Sequence, residues 1–474
     1  MNDSAYLRFL ASKELSGKER AEQERTRFAR APLISVLCDS ELELSRQTYK
    51  NFARLERDRA SEARGDFLLF VPDGAKLSDE ALYRFAVEAA LDAEFVYCDE
   101  DALLPSGGRG EPLFKPDFSP ETLLSYNYIG DCFLVSRALF CRAGGAAQTT
   151  KELILELTKS SAKTAHIPRV LLTQRRPREL EFQRRRLPAI NRKLSIVIVN
   201  TSGYEALLKS LNGIEQVSVY DNYELIVVDA AAHDSRLERL YSALERDSAA
   251  TLIQANPDCN YASMFNRGVK AATGAYALTL FAGSVPKSGD FIERLVAPLL
   301  IAEVGATGAR LDNPDGSLHT AGVTVGLHGG LFSLYRGIRP CKNDREYLRW
   351  AGCTRNVTAL SINGLATERT TFETLNGFDE TLPAAGFAED YCLRLLASGK
   401  RAVYVPEAVF VLPTQKPPVI NELNEMRLMD VFRPLLVKGD PMYNPNFDYD
   451  CSVPLPCASP VPPLILHNKN GDWV

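Results

Sequence analysis

The sequence predicts an α/β protein of two tandem domains, each built on a mostly parallel central sheet, with the N-terminal copy truncated. Three observations carry this expectation. Short apolar runs alternate with helical stretches along most of the chain, as strands covered by helices on both faces require. A basic stretch with two prolines and no apolar periodicity, residues 176–192, interrupts the alternation and reads as a linker. The segments on either side of it echo one another. Gly65-Asp-Phe-Leu-Leu-Phe matches Gly274-Ala-Tyr-Ala-Leu-Thr-Leu-Phe in character. Arg137-Ala-Leu-Phe, then Gly144-Gly145, parallels Arg369-Thr-Thr-Phe, then Asn376-Gly377, and Ile167-Pro168 parallels Val405-Pro406.

In chain order, residues 1–31 read as a polar helical lead rich in Glu, Arg and Ala. The first domain, 32–175, holds strands at Leu33–Leu37, Phe67–Val71 and Phe95–Tyr97, with a helix over Ser78–Ala90. The second, 193–415, holds strands at Leu194–Val199, Tyr223–Val228, Thr251–Gln254 and Ala275–Phe281. Helices over Gly203–Leu211, 235–247 and Ala262–Ala272 separate them. The first strand and the glycine-led strand lie close together in the first half and far apart in the second, so the N-terminal copy lacks part of the unit. Residues 416–474, rich in Pro and Asn, read as an irregular tail with little core of its own.

Composition narrows the function. A length of 474 residues suits two or three domains, and 45% hydrophobic with 24% charged residues is an ordinary globular balance. A net charge of -5 leaves no basic footprint, which argues against nucleic acid as a partner. The local basic runs Gln174 to Arg176 and Arg184 to Arg186 read as solvated linker or as a phosphate-binding patch. The charged N-terminus lacks the apolar centre of a signal peptide, and no stretch approaches a membrane-spanning length. The ten cysteines are scattered singly, as reduced thiols are. A cytosolic protein, at most peripheral at the inner face of a membrane, is expected.

Between 193 and 412 a series of motifs appears in order: Ser195-Ile-Val-Ile-Val, Glu224-Leu-Ile-Val-Val-Asp229, Asn260-Tyr-Ala-Ser, and Asn266-Arg-Gly-Val. Val304-Gly-Ala-Thr-Gly-Ala, Pro314-Asp-Gly-Ser, Ala321-Gly-Val and Arg355-Asn-Val-Thr follow, then Asn376-Gly-Phe-Asp-Glu, Glu389-Asp-Tyr-Cys-Leu-Arg-Leu and Tyr404-Val-Pro-Glu-Ala. Order and spacing together resemble family 2 glycosyltransferases of the bacterial rhamnosyltransferase-like branch, which have the GT-A fold. The first half resembles the first domain of two-domain members through Tyr97-Cys-Asp-Glu-Asp, Phe114-Lys-Pro-Asp-Phe-Ser-Pro, Asn127-Tyr-Ile-Gly and His166-Ile-Pro-Arg-Val.

The resemblance implies inverting transfer from a nucleotide-sugar donor to a glycan or lipid-linked acceptor in surface polysaccharide synthesis. It places the general base at Asp390, nucleotide contacts at Val199, Asn200, Asp229, Asn266, Arg267, Ala282 and Gly283, and the acceptor side at Glu389, Asn363 and Gly364. The chemistry needs such groups: an acceptor hydroxyl must lose its proton to a base, and the departing diphosphate must have its charge offset. Four of these residues also have a plainer reading. Asp390 suits the first turn of a helix, Asp229 a turn, and Asn266 and Arg267 a helix surface.

The departures are as specific as the matches. The family's Asp-x-Asp metal motif, usual for a divalent cation, is replaced by Phe281-Ala282-Gly283-Ser284, so no metal ligands and no cofactor are expected. Leu412-Pro413 stands where a metal-binding His is common, and Ala230-Ala231-Ala232 replaces the acidic and Gly-Ser residues after Asp229. In the first half the metal motif reads Pro72-Asp73-Gly74 and no base motif lies in 144–152. Lys287 either offsets leaving-group charge in place of the metal or is an exposed loop lysine. The alternative to a metal-independent transferase is a non-catalytic pseudoenzyme that scaffolds a partner glycosyltransferase or binds a glycan.

Overall fold

The computed structural model describes residues 3–144, 149–183, 186–231, 234–256, 259–339, 349–382, 386–413 and 422–458. Gly145, Arg184, Arg185, Ala232, most of the loop before Phe387, and residues 416–421 and 459–474 of the expected tail lie outside the described residues. The chain forms two compact units. The described residues of the first fall in Met1–Gln183, Pro441–Asp448 and Leu455–Val461, those of the second in Arg184–Asp440 and Tyr449–Pro454.

The sheet of the first unit runs Phe52–Leu55, Ile34–Leu37, Phe67–Phe70, Phe133–Ser136, Phe95–Leu103, Thr164–Gln174, Lys76–Leu77. The sheet of the second runs Thr251–Gln254, Tyr223–Asp229, Leu194–Asn200, Tyr276–Phe281, Leu365–Glu368, Val304–Asp312, Arg401–Val411, Val285–Pro286. Omitting Thr251–Gln254, the two orders correspond strand for strand in sequence rank and direction. Leu194–Asn200 and Tyr276–Phe281 are separated by three helices and two strands. Ile34–Leu37 and Phe67–Phe70 are separated only by Phe52–Leu55 and a 3-10 turn at Arg57–Glu62.

The sheets are mixed, which corrects the expectation of mostly parallel ones. Three of seven pairings in the first unit and four of nine in the second are parallel. The cause is one strand per unit, Phe133–Ser136 and Leu365–Glu368, that enters antiparallel between two parallel groups. Alternation of strand and helix, which implies crossovers, holds only up to Tyr276–Phe281. Beyond it, hairpins such as Val304–Asp312 with Leu318–Thr320 need only a short turn.

Each unit repeats one detail internally. Gly65 donates its N–H to Ser35 Oγ at 3.0 Å, and Gly274 donates to Ser195 Oγ at 2.9 Å. A Cβ on Gly274 would meet Ser195 Oγ at 2.7 Å, Ser195 N at 2.8 Å and Lys193 O at 2.9 Å. Two of those are backbone atoms at the start of the central strand, so they cannot yield. Gly274→Ala is expected to cost about 1–3 kcal/mol, the usual range for overpacking, and to lower the melting temperature by several degrees. Gly17→Ala, where the added methyl meets nothing, is the control and should be neutral or stabilising. Equal melting temperatures for the two variants would refute the close-approach argument.

The ends of the chain differ from expectation. The lead is two helices, Asp3–Ser12 and Gly17–Arg25, and the first buries Tyr6 and Phe9 against Phe114. The expected linker is partly fastened down: Gln183 donates to Ser125 O at 2.8 Å, and Arg178 to Asn127 O at 2.6 Å. Within the expected tail lies a helix, Glu422–Lys438, whose Phe432 and Leu436 pack on Val325. Tyr443, Asn444 and Phe447 are buried in the first unit.

Candidate functional site

In the second unit the parallel strands place Asn200, Asp229 and Gln254 level with one another at their carboxyl ends, the edge where open α/β sheets bind ligands. Val199 and Phe281 are also in register, and Ala282 N–H bonds to Val199 O at 3.0 Å. The expected nucleotide contacts Val199, Asn200, Asp229 and Ala282 are therefore brought together. All four are buried, and the polar pair is engaged internally. Asn200 Nδ2 donates to Asp229 Oδ1 at 2.8 Å and reaches Tyr241 Oη at 3.3 Å. Its Oδ1 accepts from Gly203 N at 3.0 Å and Ser202 N at 3.3 Å. Burial, together with the hydrogen bond to Asp229, pushes the Tyr241 hydroxyl well above the usual tyrosine range. A buried carboxylate must be satisfied in this way.

The next turn is equally wired. Gly283, at φ 97°, donates to Ser210 Oγ at 2.8 Å, and that hydroxyl donates to Ser284 O at 3.0 Å. Asn363 Oδ1 accepts from Phe281 N at 3.1 Å, and its Nδ2 donates to Ser284 Oγ at 2.9 Å. Gly364 N–H reaches Thr279 O at 2.8 Å, and its carbonyl accepts from Ala309 N at 3.0 Å. Of the two residues expected on the acceptor side, Asn363 thus braces the Phe281–Ser284 turn, and Gly364 joins the strands of Thr279 and Ala309. Lys287 is exposed, and its backbone N–H bonds to Val409 O at 2.8 Å.

A second grouping surrounds the helix Phe387–Ala397. Asp390 Oδ2 accepts from Arg394 Nε at 2.7 Å, one helical turn on. Arg394 also donates to Leu375 O at 2.5 Å and Gly377 O at 2.8 Å, anchoring the turn before the helix. Burial raises the Asp390 carboxyl above its ordinary value, against the lowering effect of Arg394. Glu389 Oε2 accepts from Gly386 N at 3.1 Å, and burial pushes its carboxyl up to about 7. Asn266 joins this grouping: it donates to Phe378 O and Glu380 Oε1, both at 2.9 Å, and accepts from Phe378 N at 2.9 Å. Arg267 stays with the strand ends, donating to Gln254 O at 2.8 Å. Aromatic rings connect the two groupings: Phe281 meets Phe265 at 5.2 Å, and Phe265 meets Phe387 at 6.4 Å.

The first unit holds a polar core to which the sequence reading gave no role. Asp99, Glu100 and Asp101 sit buried on one strand. Glu100 pairs with Lys115 at 3.0 Å, while Asp101 binds Tyr6 Oη at 2.6 Å and Arg109 Nε at 2.8 Å. His166, stacked on Tyr97 at 4.9 Å, lies 3.0 Å from Asp99 and 3.3 Å from Asp117.

Comparison with known proteins gives two curated relatives. The chain is 26% identical, over 85% of its length and 35% of the relative's, to the O-antigen biosynthesis protein RfbC of Myxococcus xanthus. It is 25% identical, over 84% of its length and 50% of the relative's, to an uncharacterized protein of Sinorhizobium fredii. The chain thus spans half or less of the curated relatives it matches. No family model matches. Among solved structures it is similar to GalNAc-T7 with UDP, GalNAc and Mn²⁺, at 15% identity and a TM-score of 0.41 over 51% of this chain and 48% of that one. A mannosyltransferase of Pyrobaculum calidifontis in complex with GDP-Man and Mn²⁺ aligns at 18% identity and a TM-score of 0.36, over 48% and 58%.

The turn to which the resemblance assigns a divalent cation lacks the oxygen ligands such an ion needs. The Phe281–Ser284 turn presents amide groups and one hydroxyl, which Asn363 already holds, and no carboxylate. Ser210, Tyr241 and the Phe265 ring have no motif that marks them, and Arg394 lies in the Glu389-Asp-Tyr-Cys-Leu-Arg-Leu motif without an assigned role. The Asp390–Arg394 spacing was the one readable signal among them.

Proposed function

We propose that this chain is a glycosyltransferase of bacterial surface polysaccharide synthesis, moving a sugar from a nucleotide-sugar donor to a glycan or lipid-linked acceptor with inversion. The 26% identity to the O-antigen protein over 85% of the chain supports it most, alongside the ordered motif series. In this reading the two units are tandem GT-A-type domains, the first truncated, and the donor lies on the strand ends of the second. Asp390 is the base: Arg394 holds Oδ2, and no described hydrogen bond reaches Oδ1, which is left for the acceptor hydroxyl. Lys287 is the cation nearest in sequence to the metal-less turn and offsets leaving-group charge. The protein works in the cytosol, at most peripherally at a membrane. No helix among the described residues is long and apolar enough to cross one.

A second reading rests on a specific observation. Asn200 and Asp229 spend polar atoms on each other rather than on a ligand edge. A pseudoenzyme that scaffolds an active transferase, or binds its glycan, needs only the fold. Assay of the full chain with a panel of nucleotide sugars and acceptors, with and without a chelator, separates the two. The transferase reading expects turnover that survives the chelator. Nucleotide-independent behaviour with no turnover selects the scaffold, and turnover that needs Mn²⁺ overturns the metal-independent assignment.

A further inference from the structure

A cavity of about 560 Å³ opens in the first unit, lined by none of the residues assigned to transfer. It falls within the size range of small-ligand sites. Its walls carry five cationic side chains, Lys13, Arg20, Arg46, Arg109 and Arg169, against three carboxylates, Glu14, Asp79 and Glu80, and Arg109 is already paired with Asp101 at 2.8 Å. The guanidinium groups on the wall are taken up in ion pairs. Asp79 is bound by both Arg20 and Arg46. Glu80 is bound by Arg169 at 2.7 Å and Arg84 at 2.7 Å, and Gln23 donates to it at 3.0 Å. Glu14 is exposed.

Lys13 carries the unmet charge. Its ammonium makes no ion pair among the described residues and sits 5.8 Å from the Phe9 ring centroid. Its backbone carbonyl accepts from Arg169 Nη2 at 3.1 Å, so a second cation is held beside it. Burial first, and then the Arg169 charge, lowers the Lys13 pKa, as expected of a cation waiting for a counter-charge. Ser78 Oγ, also on the wall, is a buried hydroxyl with no hydrogen-bond partner. Planar guanidinium forks beside a point-charge ammonium are the donor set of phosphoryl oxygens.

We infer that this cavity is a binding site for a small phosphate-bearing ligand, whose phosphoryl oxygens would meet the Lys13 ammonium and the neighbouring Arg169. The site is separate from the donor site and does not depend on the transfer reading. Inorganic pyrophosphate titrated calorimetrically into the full chain is the first probe. Saturable binding is expected. Lys13→Gln should weaken it about tenfold, the loss of one charge-assisted contact, and Lys13→Arg should largely retain it. Because Lys13 is partly exposed and unpaired, Lys13→Gln should unfold at the wild-type temperature. A nucleoside diphosphate and a short-chain prenyl diphosphate identify the source: whichever binds more tightly than pyrophosphate shows what the rest of the ligand is. No binding of pyrophosphate in the millimolar range, or equal affinity in Lys13→Gln, overturns the assignment, and the activity of the second unit is untouched by that result.

Discussion

Asp390→Asn is expected to lower transfer by about 10²–10⁴, the usual contribution of a positioned general base, while nucleotide binding stays near the wild-type value. The substitution keeps the size of the side chain and an acceptor for Arg394, but an amide cannot take the proton of the acceptor hydroxyl. The cost to stability should be small. The Asp390–Arg394 pair is partly exposed, with side-chain accessibilities of 13% and 32%, and such pairs contribute about 1 kcal/mol or less. Arg394 would keep its bonds to Leu375 O and Gly377 O, so the helix should remain docked. Kinetics and melting temperature thus diverge: a large loss in kcat with little thermal shift marks a base, and the reverse marks a structural carboxylate. The pH profile adds a check. Burial holds the Asp390 carboxyl above its ordinary value, so activity should fall, as pH drops, at a higher pH than an exposed aspartate would give. A transfer activity that Asp390→Asn leaves unchanged would refute the assignment.

Much of the fold was legible because buried parallel strands are continuous apolar runs. Leu194–Asn200 and Tyr223–Asp229 appear in the sequence as such runs, close to where they lie. The antiparallel entry of Leu365–Glu368 was not legible. Its pairing with Tyr276–Phe281 joins segments some ninety positions apart, and nothing local in Leu-Ala-Thr-Glu specifies direction. The site shows the same division. Sequence could put Asn200 and Asp229 at strand ends, since each follows an apolar run. It could not tell that they bond to each other and to Tyr241, because satisfaction of a buried polar group is settled by whichever side chain the fold brings within reach. The Glu422–Lys438 helix was missed because flanking prolines and asparagines dominate that stretch, although Phe432 and Leu436 are spaced for one helical face.

Stability of the first unit should fall as pH rises through about 9, and His166 should be the cause. The side chain is 2% exposed, which by itself disfavours the charged form. The Asp99 charge and the hydrogen bonds to Asp117 and Asp99 outweigh burial and bring the pKa up to about 9. The unfolded value is about 6.5. A pKa raised on folding means that the folded state holds the proton more tightly. The stabilisation is therefore complete below about pH 6.5, declines above it and is gone above about pH 9. At about 1.4 kcal/mol per unit, the swing is on the order of 3 kcal/mol. Asp99 is the sink for this charge. Lys115 N donates to it at 2.9 Å and Asn444 Nδ2 at 2.9 Å, so its carboxylate stays in place when the imidazolium is lost. His166→Gln leaves that carboxylate buried without its cation, and removing one partner of a buried pair costs about 3–5 kcal/mol. Hydrogen exchange of the Phe95–Leu103 strand in the full chain, followed from pH 6 to 10 after correction for intrinsic rates, reads the effect locally. Wild type should lose protection across that window, whereas His166→Gln should start low and stay flat. Protection that is flat in the wild type, or equally pH-dependent in His166→Gln, would show that the pair does not carry the charge.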